Sequence, residues 1–156
     1  MRYYWELAKH FLRANSRHGT HSPFVYRLAD KVIYAKAGDS AGRVILPPVF
    51  PVRYRQLMHD LLVAMNIEML ETFSGQVGSA AIWVPLNAGA LHELLEQVAG
   101  GTVVIVHEPY RARRKWRALI ADPTIIVSID LFHFGILMTR AAQRKENFEL
   151  RYPYWR

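Results

Sequence analysis

The chain has 156 residues, 51% of them apolar, and no cysteine. That length suits one domain with a modest core, and the composition excludes a disordered tail. The absence of cysteine excludes a disulfide scaffold, a thiolate zinc site and a cysteine nucleophile. A formal net charge of +7 hints at an acidic partner, although solubility alone also favours net charge. The opening segment has no continuous apolar stretch and no small-residue cleavage site, so no signal peptide is expected. Apolar runs such as Val103–Val106 are too short to span a bilayer. A cytoplasmic protein with no membrane among its partners is the expectation.

Tyr4, Leu7, Ala8, Phe11 and Leu12 recur at helical spacing and predict a first helix with that stripe inward. Ser22 with Pro23 behind it reads as an N-cap and first helical residue. Phe24, Val25, Leu28, Ala29, Val32 and Ile33 then form the buried face of a second helix. Leu46-Pro47-Pro48 is extended. A third helix starts near Tyr54, with Leu57, Met58, Leu61, Leu62 and Met65 inward. The stretch 67–73 reads as a strand or as a continuation of that helix, with strand preferred. Ser74 to Ser79 is a turn, and Ala80–Val84 a short strand closed by Pro85. Leu91, Leu94, Leu95 and Val98 mark a fourth helix, stopped by Gly100-Gly101.

Thr102–Val106 is a continuous apolar run, as in a strand buried on both faces. Glu108-Pro109 opens a helix with Ala112, Trp116, Leu119 and Ile120 inward, ended by Asp122-Pro123. Strands 124–131 and 134–140 follow, antiparallel across a tight turn. A last edge strand covers 148–152. The chain therefore reads as a single α/β domain, with a helical part over 1–66 and a sheet part over 67–156.

Two blocks carry a resemblance. One is His18-Gly19-Thr20-His21-Ser22-Pro23-Phe24-Val25-Tyr26. The other is Val127-Ser128-Ile129-Asp130-Leu131-Phe132-His133-Phe134-Gly135-Ile136-Leu137, followed by Phe148-Glu149-Leu150-Arg151-Tyr152. Together they resemble a Bacteroidota-type family of class I S-adenosylmethionine-dependent methyltransferases. The resemblance covers most of the chain and implies a truncated Rossmann-like methyltransferase sheet, with N-terminal helices and a C-terminal antiparallel strand pair. It implies S-adenosylmethionine as cofactor, held by the turn after the first strand, where Glu71, Gly75 and Gly78 match loosely.

The departures concern that turn. Phe73 stands near the place of a family glycine, and Pro85 replaces the usual aspartate after the fourth strand. The chain between first and fourth strand is missing. Parallel neighbours need a crossover of about a dozen residues, which the link 74–79 does not supply. Stretches 67–73 and 80–84 are therefore expected to form a hairpin, or the first of them to lie outside the sheet.

The candidate catalytic pair is His107 and Glu108, past the end of a buried strand where α/β sites lie. A histidine there acts as a general base and a glutamate orients it; alternatively Glu108 caps the following helix. His18 and His21 flank Gly19 at metal-like spacing without a third ligand, so they fix their loop and no metal is expected. Arg111, Arg113, Arg114, Lys115 and Arg117 form either a solvated helix face or a site for RNA or an acidic protein. Phe132, His133 and Phe134 read as packing within the strand pair. The expected function is that of a shortened, degenerate methyltransferase-family protein with weak or no methyl transfer. The alternatives are an active enzyme on a compressed core and a binding or assembly module using the basic helix. An open sheet edge implies a homodimer.

Overall fold

The computed structural model describes residues 2–15, 21–36, 42–85 and 88–154. His18, expected to fix its loop, and most of the Gly38 loop lie outside them. Helix α1 spans Arg2–Arg13 and helix α2 spans Pro23–Leu28, which continues as a π-helical turn over Ala29–Ile33. The Ser22 hydroxyl accepts from the Val25 amide at 3.3 Å, with Pro23 in the first turn, so the cap read from sequence is present. A 3-10 turn, Val52–Tyr54, leads into helix α3, Arg55–Ala64. Helices α4, Leu91–Ala99, and α5, Arg113–Ala121, complete the helical set.

The strands are β1, Glu71–Thr72; β2, Ala81–Val84; β3, Val103–His107; β4, Val127–Asp130; β5, Phe134–Met138; and β6, Glu146–Glu149. They form one six-stranded mixed sheet in the order β1-β2-β3-β5-β4-β6. β1, β2 and β3 are mutually parallel, β5 runs against both β3 and β4, and β6 is parallel to β4. The hairpin expected between 67–73 and 80–84 is not formed. β1 pairs β2 in parallel, Glu71 opposite Ile82 and Thr72 opposite Trp83. The crossover rule fails here because β1 is only two residues long. The chain has little length to retrace before it re-enters the sheet.

Side chains alternate across the sheet as the strand period of two requires. Ala81, Trp83, Ile105, Val127, Ile129, Phe134 and Ile136 face one core with α2 and α3. Ile82, Val84, Val104, Val106 and Leu137 face a second core with Leu94 and Val98 of α4 and Trp116 and Leu119 of α5. Each fully buried side chain of this size contributes roughly 1.5–3 kcal/mol. Gly135 of β5 is fixed by this second core. A Cβ there would stand 2.4 Å from the Trp116 ring, so any other residue would displace the indole.

The first helix does not pack as its periodicity predicts. Tyr4, Ala8, Phe11 and Leu12 face solvent, and the residues turned inward are Tyr3, Glu6, Leu7, His10 and Ala14. The last helix also starts late, at Arg113 rather than at Glu108-Pro109. At the β6 side of the sheet the N-terminal segment adds a bridge, Asn15 opposite Leu150. No helix among the described residues is long and apolar enough to cross a membrane.

Candidate functional site

The carboxyl ends of β3 and β4 bring two histidines together. β3 ends at His107. The next residue, Glu108, has φ +47, and Phe132, just past β4, has φ +67. Left-handed backbone at a residue other than glycine costs about 1–3 kcal/mol and clusters where function demands a special aim. The two bends are tied to each other, since the Glu108 amide donates to the His133 carbonyl at 2.8 Å. Asp130 holds the second bend, with Oδ1 accepting from the Phe132 amide at 2.8 Å.

Rings from four segments close around this corner. Tyr54 lies 5.3 Å from His133 and 6.3 Å from His107, centroid to centroid. Trp83 lies 4.9 Å from His107, and Tyr110 stacks on Phe132 at 4.3 Å. Tyr54 is 1% exposed and His133 is 3% exposed. Among the described residues, Tyr54 Oη, His107 Nε2 and His133 Nδ1 are buried without a hydrogen-bond partner. Buried polar atoms are nearly always paired, and an unpaired one costs roughly 1–3 kcal/mol. Three of these atoms belong to the rings of this one corner.

Burial sets the protonation of the cluster. It lowers the pKa of His107, and lowers that of His133 from 6.5 to about 4. It also raises the Tyr54 and Tyr154 hydroxyls. Near neutral pH the corner therefore presents neutral imidazoles and phenols. A neutral imidazole with a free nitrogen accepts a proton or a hydrogen bond from a ligand. His133 Nε2 and the Tyr154 hydroxyl share a hydrogen bond of 3.0 Å.

Glu108 does not act on His107 as the adjacent pair suggested. Its carboxylate accepts from the Tyr110 hydroxyl at 3.0 Å and lies 3.4 Å from Arg111 and 3.9 Å from Arg53. No hydrogen bond joins it to the imidazole. Nor is it a helix cap, because its backbone is left-handed and the helix begins five positions later, at Arg113. Its role is to bind the 108–111 turn and to hold two arginines at the rim.

No family model, no curated protein and no solved structure matches the chain.

The residues assigned to a cofactor by resemblance do not gather at this corner. Glu71 lies exposed in the edge strand β1. Gly75 and Gly78 have φ +83 and +128, and a Cβ at either would meet nothing within 4 Å. Their backbone conformation accounts for glycine without a ligand. Phe73 turns its ring toward Gly89 and Leu94, where a Cβ on Gly89 would lie 2.9 Å from it. S-adenosylmethionine needs an open glycine turn and a free acid beyond the strand ends. The described residues leave Gly75 and Gly78 open and depart from that pattern at Phe73, whose half-buried ring lies beside Gly89.

His21 is exposed and apart from the cluster. Among the described residues, no group of three His, Asp or Glu side chains is placed to hold a metal. The basic run divides. Arg113 donates to Asp130 at 3.0 Å, and Lys115 donates to the carbonyls of Ala88 and Gly89, which leaves Arg111, Arg114 and Arg117 exposed. The run is thus a solvated face at Arg111, Arg114 and Arg117 and an internal contact at Arg113 and Lys115. Tyr54, His133 and Arg53 were missed as site residues. The available signal was position, since His107 follows one buried strand and His133 sits in the turn after another. A groove of about 490 Å³, lined by residues such as Leu28, Ile67 and Met138, opens at the opposite, amino end of β3 and takes no part in this corner.

Proposed function

We propose that the chain is a shortened α/β domain of the methyltransferase type that works without S-adenosylmethionine. Its working face is the corner formed by His107, His133 and Tyr54, which binds a small polar ligand. The observation that carries the first part is Phe73, whose ring packs against Gly89 and Leu94 where the resemblance requires open backbone. The parallel run β1-β2-β3 supports the ancestry, because it keeps three carboxyl ends on one side of the sheet. The unpaired atoms of the two histidines and the tyrosine support the location.

The test is calorimetric titration of the protein with S-adenosylmethionine and with S-adenosylhomocysteine. No saturable heat is expected up to about 1 mM ligand, an affinity limit near −4 kcal/mol. Saturable binding of either ligand overturns the reading. Use of the basic helix for an acidic partner is the second reading. It is narrowed by the internal contacts of Arg113 and Lys115, and it would rest on Arg111, Arg114 and Arg117.

A further inference from the structure

We infer that the outward face of α1 rests on an anionic lipid surface. This proposal is independent of the site at the strand ends. Tyr4 is 74% exposed, Trp5 63%, Phe11 52% and Leu12 82%. At about 100° per residue, these four and Ala8 fall within one arc of roughly 120°. Large apolar side chains gathered on one exposed helix face mark an interaction surface, whereas scattered ones do not.

The charges beside this arc choose the partner. Lys9 places its ammonium 4.8 Å from the centre of the Trp5 ring, and Arg151 its guanidinium 4.5 Å from that of Phe11. The acid of the helix, Glu6, is turned away from this face, 3.7 Å from Arg113. An apolar strip with Trp and Tyr, bordered by cations and free of acid, is the pattern of a helix lying in the headgroup boundary of an anionic bilayer. A second copy of the chain is the poorer occupant, because it would bring the same cations and another +7 of net charge against this face. Spanning is a different geometry. A helix of 12 residues is about 18 Å long, so it lies along the surface with its inner face still on the sheet.

The experiment is flotation of the intact protein with phosphatidylcholine vesicles, with and without phosphatidylglycerol. The anionic vesicles should carry on the order of tenfold more protein, and added salt should reduce the difference. Brominated lipid should quench tryptophan fluorescence in the wild type but not in Trp5→Phe. The double variant Trp5→Ser/Leu12→Gln should keep the wild-type melting curve and lose vesicle binding. Absence of binding to anionic vesicles, or equal binding to neutral ones, overturns the proposal. So does retained binding by the double variant, or a dimer in light scattering that the double variant dissociates.

Discussion

Helices α1 and α4 are attached to the same sheet by different forces. Helix α4 buries Leu94, Val98 and Gln97 and leaves its charged side chains toward water. Helix α1 does the reverse. It turns His10 and Glu6 inward and leaves its largest apolar groups outside. What anchors α1 is a chain of polar contacts. His10 Nε2 donates to the Asp130 carbonyl at 3.3 Å, the Asp130 carboxylate accepts from Arg113 at 3.0 Å, and Arg113 reaches Glu6 at 3.7 Å. Tyr3 adds edge contacts to Tyr110 and Phe132, at 5.8 and 5.6 Å. Apolar burial is indifferent to direction and pH, whereas a buried ionic anchor is specific and fragile.

Removing the apolar anchor has the largest expected effect. Leu94 is fully buried, and Leu94→Ala should cost about 4 kcal/mol in urea denaturation, with α1 and α4 lost in one transition. Asp130→Ala should cost about 3 kcal/mol, since it removes the carboxylate that accepts from Arg113 and from the Phe132 amide. It should also expose α1 to trypsin at urea concentrations where the rest of the chain stays folded. Equal protease resistance of α1 in this variant and the wild type would remove the ionic anchor from the account.

Acid should sharpen the contrast at a smaller cost. His133 forms part of the bed under Tyr3, 6.4 Å away, and its folded pKa lies at about 4 against 6.5 for the free side chain. Between those values the unfolded chain binds a proton that the folded chain refuses. Stability is therefore full above pH 6.5 and falls as pH drops toward 4. At pH 5 the loss should be about 2 kcal/mol relative to pH 7. Burial shifts His107 in the same direction. His133→Asn should flatten most of this dependence, as read from urea midpoints across the pH series.

Much of the fold was legible because local rules governed it. The Ser22 cap, the inward faces of α2 and α3 and the antiparallel pair β4-β5 follow from capping, period and turn alone. The errors arose where distant residues decided. Periodicity located the apolar stripe of α1 but not which side meets the sheet, since that choice belongs to Asp130 and Arg113, more than a hundred positions away. The parallel pairing of β1 with β2 defied a rule framed for strands of ordinary length. At the candidate site, His107 was legible from its place after an apolar run. Tyr54 was not, because it read as the start of a helix, and only the tertiary fold sets it between two imidazoles.

The bridge between Asn15 and Leu150 carries a consequence for the order of events during folding. The Asn15 amide donates to Glu149 at 2.8 Å, the Arg151 amide donates back to Asn15 at 3.2 Å, and Arg151 Nε donates to the Ala14 carbonyl at 3.2 Å. None of these partners exists until the chain has been synthesised past residue 151. At roughly 5–20 residues per second, α1 waits on the order of ten seconds as a free amphipathic segment, while the sheet that will seat it is still being made. Its docking belongs to the last stage of folding, when the longest loop of the molecule closes.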